Sequence, residues 1–209
     1  GGLYWAPFGR LDRNTTNVLA SAGVSTIVLS ADALPATDEA QPTDGLATAA
    51  LPTSVGAMRA VLTDPGLTAT LSLPRGDSPG QVLVRQRFLA ETALIATSIP
   101  PDQSSRTVVV APDTVLWDPS ASLVAPLLRA TRAAPWLSPQ TLERLLEQPV
   151  SSASRQRGGY GPKARAAELS PTYMAEVRRT AAQLDSFTSI VDDPTGLSEP
   201  FSAALLRAE

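Results

Sequence analysis

Neither cysteine nor histidine occurs in this 209-residue chain. Their absence removes whole classes of chemistry. A Ser-His-Asp triad, a Cys-His dyad, a His-ligated zinc and a cysteine metal cluster all need residues that are missing. Disulfides are excluded as well, and no cofactor or metal motif is present. Lysine is nearly absent: Lys163 stands alone among 17 basic residues. The formal net charge is −3, which argues against a nucleic-acid-binding surface, since phosphate backbones need clustered positive charge. Long apolar runs are missing too. Thr, Ser and Pro interrupt every uncharged stretch, so this fragment should not span a membrane. Catalysis would have to come from carboxylates, hydroxyls, tyrosine and arginine.

A hydrophobic content of 43% is enough to build a core. The chain opens on Gly1-Gly2-Leu3 rather than on Met. That is expected of an excised or processed piece, with targeting or anchoring segments outside it.

The first segment reads as strand–helix–strand. Gly2–Pro7 is a short strand, and Asp12 caps a helix over about Arg13–Ala22. Gly23 ends that helix, and Val24–Ser30 is a β-branched strand. Short connections make this a right-handed parallel crossover. Gly45–Leu51 reads as a third strand, and Thr53 or Ser54 as the cap of a helix to about Thr63. Leu67–Leu73 is ambiguous, either a strand or an extended link. Gln81–Ser98 is a helix whose stripe holds Val84, Phe88 and Ile95. Arg106–Ala111 reads as a strand buried on both faces. Helices follow over Ser120–Ala133, from Ser138-Pro139 to near Gln148, and from Ser170-Pro171 to Val191, then from Ser198 to Glu209. The order predicts an α/β fold: a partial (β/α)-barrel-like parallel sheet with an appended C-terminal helical part. Residues 1–148 are expected to form the β/α domain and 149–209 a helical extension packed on it, the two making one structural unit.

Ligands of parallel α/β folds bind beyond the carboxyl ends of the strands. Asp32 follows the second strand, and Asp113 follows the Thr107–Ala111 segment with Trp117 and Asp118 close behind. Trp5 ends the first strand. Two carboxylates and flat rings at one rim suit sugar processing: one carboxyl protonates the leaving oxygen, the other attacks or activates water. Each Asp also fits a cap or turn, which is the commoner use of that residue. Glu91 sits in the apolar stripe of its helix, so it must be paired, hydrogen-bonded or protonated. It is either an acid facing a cleft or the partner of an arginine such as Arg87 or Arg106. Trp117 and Trp136 have core packing as the commoner role. Gly158–Gly161 lacks a phosphate-loop pattern. With Arg155, Arg157, Lys163 and Arg165 beside it, it is a basic loop that either meets an anionic surface or, the commoner case, is mobile and solvated.

Several segments carry a family resemblance. Trp5-Ala6-Pro7 with Leu11-Asp12, then Ala22-Gly23-Val24 into Ile27-Val28-Leu29-Ser30, is one. Gln86–Ala93, Val109–Pro112 through Trp117-Asp118-Pro119, and Ala134–Leu137 with Thr141-Leu142 are others. Over roughly residues 1–148 they resemble a family of actinobacterial envelope proteins whose activity is unassigned and whose genes often neighbour the lipid II flippase gene. More remotely they resemble the β/α barrels of glycoside hydrolases and polysaccharide deacetylases. The histidine-free sequence cannot carry the deacetylase metal site. The resemblance implies an exported, membrane-anchored precursor and an extracytoplasmic location. The function expected is a non-catalytic domain that binds a cell-envelope glycan or an envelope protein. The alternatives are a metal-independent glycoside hydrolase drawing on Asp32, Glu91, Asp113 and Asp118, and a purely architectural module. Trp5 and Trp117 are the ligand-binding candidates.

Overall fold

The computed structural model describes residues 2–37, 44–72, 78–112, 117–160, 169–190 and 199–204. Two compact units divide the chain, Gly1–Tyr160 and Gly161–Glu209.

The first unit is mixed α/β. Strands β1 (Gly2–Trp5), β2 (Val24–Ser30), β3 (Thr48–Thr53) and β4 (Gly56–Thr63) form an open sheet in the order β1-β2-β4-β3. β1 and β4 both run parallel to β2, whereas β3 is antiparallel to β4. The expected all-parallel sheet is thus corrected to a mixed one, and no barrel closes among the described residues. The opening crossover forms as its local signals dictate. Asp12 accepts a hydrogen bond from the Thr15 N–H at 2.7 Å, starting α1 (Arg13–Ser21). Gly23 takes φ +88° just past its end, a conformation costly for residues with a Cβ.

The helix expected over residues 53–63 is a correction. β3 turns through Ser54-Val55 into β4, with Gly56 at φ +131°. β4 lies centrally, paired on both sides, so burial between two strands overrides the helix preference of its Ala, Met and Leu. Alternation then sorts the side chains. Ile27, Leu29, Ala60 and Leu62 enter a core cluster with Ala6, Leu11 and Leu34. Val28 and Val61 enter another cluster, against Leu145.

Asp64 caps α2 (Pro65–Leu71), with proline at its first position, so the ambiguous 67–73 segment begins as helix. α3 (Ser78–Thr97) and α4 (Ala121–Ala133) complete a helical cluster of Leu67, Leu71, Phe88 and Leu127. Val108 and Val110 pack on it. The 106–111 strand is also corrected. That segment makes one parallel bridge, Val109 to Thr63, and the Asp64 N–H donates to the Val109 carbonyl at 2.8 Å. α5 (Leu142–Glu147) starts at Thr141, not Ser138, because the Thr141 hydroxyl reaches the Arg144 N–H. Arg59 of β4 donates to the Leu146 and Gln148 carbonyls at 2.7 and 2.9 Å, fixing the C-terminal end of α5.

Residues 151–158 are hydrogen-bonded back into the first unit, not free. The Thr37, Gln156 and Gly158 N–H groups meet the Ser154, Pro35 and Ala33 carbonyls at 2.9 Å each. A Cβ on Gly158 would lie 3.1 Å from the Ala33 oxygen, so glycine permits this close approach. The expected mobile loop is corrected accordingly for its described part, and the first unit reaches past residue 148 to Tyr160. The second unit holds α6 (Pro171–Thr188), capped by Ser170, and helical residues 199–204. Val191, the expected end of α6, lies outside the described residues.

Candidate functional site

The carboxyl ends of β1, β2 and β4 meet at a cleft of about 160 Å3. Each wall follows from local sequence. After Trp5 the chain is anchored by Ala6, fully buried, whose N–H donates to the Val28 carbonyl at 3.2 Å. Pro7–Gly9 then makes a tight helical turn. Phe8 adopts φ +53°, the left-handed region that a bulky side chain rarely occupies, and Gly9 follows at φ +66°. That turn holds the Phe8 ring 70% exposed beside Trp5, itself 38% exposed. The chain leaves the turn through Arg10. On the next strand end, Asp32 sits in a short helical turn, Ala31–Ala33. Its carboxylate accepts a hydrogen bond from the Arg10 guanidinium, an exposed ion pair in the lining of the cleft. Thr68 of α2 and Pro112 complete the lining. The Thr68 hydroxyl is shielded from solvent and has no hydrogen-bond partner.

The structure brings Trp5 and Asp32 together and leaves the other candidates elsewhere. Glu91 belongs to the α2–α3 contact. It accepts from the Thr70 hydroxyl at 2.8 Å and from Arg87 Nε at 2.7 Å. The arginine-partner reading of Glu91 describes its surroundings; the cleft-facing one does not. Asp118 is exposed and does not line the cleft. The Trp117 indole N–H donates to the Leu71 carbonyl at 3.3 Å, tying that ring to the end of α2. Trp136 donates to the Thr92 hydroxyl at 3.2 Å. Asp113 lies outside the described residues. No cluster of acidic side chains suited to a metal occurs among those described.

Sequence reasoning missed Phe8, Arg10 and Thr68. A signal for the first two was present, because an aromatic residue between Pro7 and Gly9 marks a turn that displays its side chain. Nothing local marks Thr68, which α2 delivers from another strand end.

The arrangement can stack a flat apolar face and hydrogen-bond polar groups at its edge. Trp5 and Phe8 provide the rings. The Arg10–Asp32 pair offers donors and an acceptor at that edge. Among the described residues Asp32 is the one carboxylate lining the cleft, so a two-carboxylate hydrolysis has one partner there.

Residues 2–208 match the model of a family of unknown function, DUF6049, and the chain belongs to that family. No curated protein matches it. No helix among the described residues is long and apolar enough to cross a membrane.

Proposed function

We propose that this chain is a non-catalytic, extracytoplasmic binding domain of an envelope protein, and that its cleft holds one sugar ring of a cell-envelope glycan. The observation that carries the reading is the pair of exposed rings, Trp5 and Phe8, lining one cleft with the Arg10–Asp32 ion pair. Sugar rings present apolar C–H faces to aromatic side chains and hydroxyls to charged edges. A cleft of 160 Å3 is smaller than the roughly 300–1,000 Å3 pockets that engulf a ligand. It suits a single residue of a polymer gripped from one side. The backbone strain at Phe8 supports a functional reason for displaying that ring.

The location rests on the sequence resemblance to exported envelope proteins. The barrel-like reading has support in the strand order. β1, β2, β4 and the Val109 segment succeed one another in parallel, with β3 as an antiparallel excursion. That is the arrangement a quarter to a half of a β/α barrel would contribute.

Calorimetric titration with purified peptidoglycan fragments tests the proposal. Binding is expected, and Trp5→Ala or Phe8→Ala should each weaken it about tenfold. No binding across a broad envelope-glycan panel would overturn the glycan reading. Cleavage of a fragment, lost in Asp32→Asn or Asp113→Asn, would replace it with the hydrolase. A second, architectural reading draws on Leu169, Phe187 and Ile190 of the second unit, 51%, 50% and 81% exposed. Apolar side chains so displayed suit docking to another domain. Concentration-dependent self-association abolished by Phe187→Ser with Ile190→Ser would favour it.

A further inference from the structure

A second cavity, of about 360 Å3, shares no lining residue with the aromatic cleft. α1, the β3–β4 hairpin and the 155–157 segment enclose it. Three arginines line it, Arg13, Arg155 and Arg157, and no carboxylate does. Two of these are built in rather than draped over the surface. Arg155 Nη1 donates to the Leu34 carbonyl at 3.0 Å, and Arg157 Nη2 to the Pro52 carbonyl at 2.8 Å. The backbone bonds of residues 154–158 to residues 33–37 hold both in register.

Each of these two guanidiniums keeps a further N–H without an acceptor. Arg155 Nε and Arg157 Nη1 are shielded from solvent and have no hydrogen-bond partner. A shielded, charged donor left unpaired is costly; the capacity open to a ligand is that of the remaining N–H groups of each guanidinium. Burial lowers the pKa of both groups, and the charge of Arg13 lowers that of Arg157 further. The charge of Asp44 offsets part of this at Arg155 and that of Asp12 part of it at Arg157, although both carboxylates also accept backbone N–H bonds. Asp12 caps α1, and Asp44 accepts from the Leu46 and Ser152 N–H groups. Neither of the salt bridges among the described residues involves the three arginines. Asn17 accepts from the Ser54 N–H through its carbonyl oxygen at 3.0 Å, which leaves its NH2 as another donor at the wall.

We propose that this cavity binds the phosphate group of a small organic molecule. Guanidinium forks match oxyanions in paired hydrogen bonds. A carboxylate has two oxygens and satisfies at most two forks well. A phosphate ester keeps three free oxygens, one direction for each arginine. The volume exceeds that of the bare ion and leaves room for a small organic group attached to it. The proposal is independent of the glycan reading, since no side chain is shared.

Calorimetry with inorganic phosphate, pyrophosphate, glucose 1-phosphate and acetate tests it, using the whole chain. The phosphate compounds should bind, acetate should not, and affinity should fall as sodium chloride rises. Arg13→Gln is the clean variant, because Arg13 is exposed and makes no hydrogen bond or ion pair within the described residues. It should fold normally and weaken phosphate binding about tenfold. Arg157→Lys keeps the charge but loses the fork, and should weaken binding as well. No heat with any phosphate, equal binding of acetate, or unchanged binding in Arg13→Gln would each overturn the proposal. Retention on phosphatidylglycerol vesicles without affinity for soluble phosphates would overturn it too, assigning the arginines to a membrane surface.

Discussion

Replacing Gly9 by alanine should destabilise the protein through two separable causes. The first is backbone strain. Gly9 has φ +66°, and a residue with a Cβ in that region costs about 1–2 kcal/mol. The second is collision. A Cβ at Gly9 would lie 2.7 Å from the Ser30 Cβ and 2.8 Å from the Ser30 backbone nitrogen. Ser30 ends β2 and is held in the parallel ladder opposite Thr63. The neighbour therefore cannot step aside cheaply, and overpacking of this kind costs about 1–3 kcal/mol. The expected total is about 2–5 kcal/mol. Gly23 supplies the control. It has φ +88°, but a Cβ there meets nothing within 4 Å. Gly23→Ala should show the strain alone, near 1–2 kcal/mol.

Equilibrium urea unfolding of the two variants gives the difference directly, with unchanged slopes confirming that the midpoints compare like with like. Ser30→Gly in the Gly9→Ala background removes one of the two close contacts, so it should recover part of the loss and not all. Equal destabilisation by Gly9→Ala and Gly23→Ala would refute the collision argument. The same variant has a functional readout, since the Pro7–Gly9 turn carries Phe8 beside Trp5. Gly9→Ala should weaken glycan binding even where the protein remains fully folded.

Phe8→Asn relieves left-handed strain in a side chain that is mostly exposed, so thermal unfolding should show stability unchanged or raised while glycan affinity falls. Glu91→Gln keeps an acceptor for the buried Thr70 hydroxyl and should cost under about 1 kcal/mol in urea unfolding, the ion pair with half-exposed Arg87 being screened. Glu91→Leu strands that hydroxyl and should cost about 1–3 kcal/mol; equal costs for the two would show that the hydroxyl bond contributes nothing. Asp12 has a pKa lowered chiefly by the Thr15 N–H bond. A depressed carboxyl pKa contributes stability that is present above the unfolded value, near 4, and lost as pH falls through the folded one. Asp12→Asn keeps the cap without the titration, so its unfolding free energy should fall less steeply below about pH 4 than that of the parent.

Local signals carried the parts of the fold that local physics decides. Asp12, Gly23 and the β-branched 24–30 run specify cap, stop and strand within a few residues, and β1-α1-β2 follows. Residues 53–63 show the opposite case. Their alternation of Met58, Ala60 and Leu62 against Val61 is strand-like, yet each residue alone tolerates a helix. What decides is the pairing of β4 on both sides, a fact about distant chain segments. The cap-and-proline signal was informative at Ser170-Pro171, and the same pattern, not read as a start, opens a helix at Asp64-Pro65; in both the acceptor side chain reaches the N–H three residues on. At Ser138-Pro139 the same pattern starts no helix, because Thr141 does so instead. A cap motif thus proposes a start, and packing of the following turn selects it. Here that turn is held by Leu145 in the sheet core and by Arg59 at its end.

The sites divide along the same line. Trp5 and Asp32 were legible because strand ends in a parallel sheet gather at one rim, so knowing the strands locates the rim. Glu91 was legible as an acid in an apolar stripe that needed partners; the structure leaves it partly buried. Which partners it found depended on the α2–α3 packing, which brought Thr70 and Arg87 to it. The arginine cavity was legible only in composition. Arg155 and Arg157 marked a basic stretch, and a basic stretch alone suggests a solvated loop. Their meaning changes once residues 33–37 pin that stretch and Arg13 arrives from α1, since scattered charges are screened whereas converging ones favour an anion between them. Convergence is a property of the fold alone, and it separates the two readings of the same arginines.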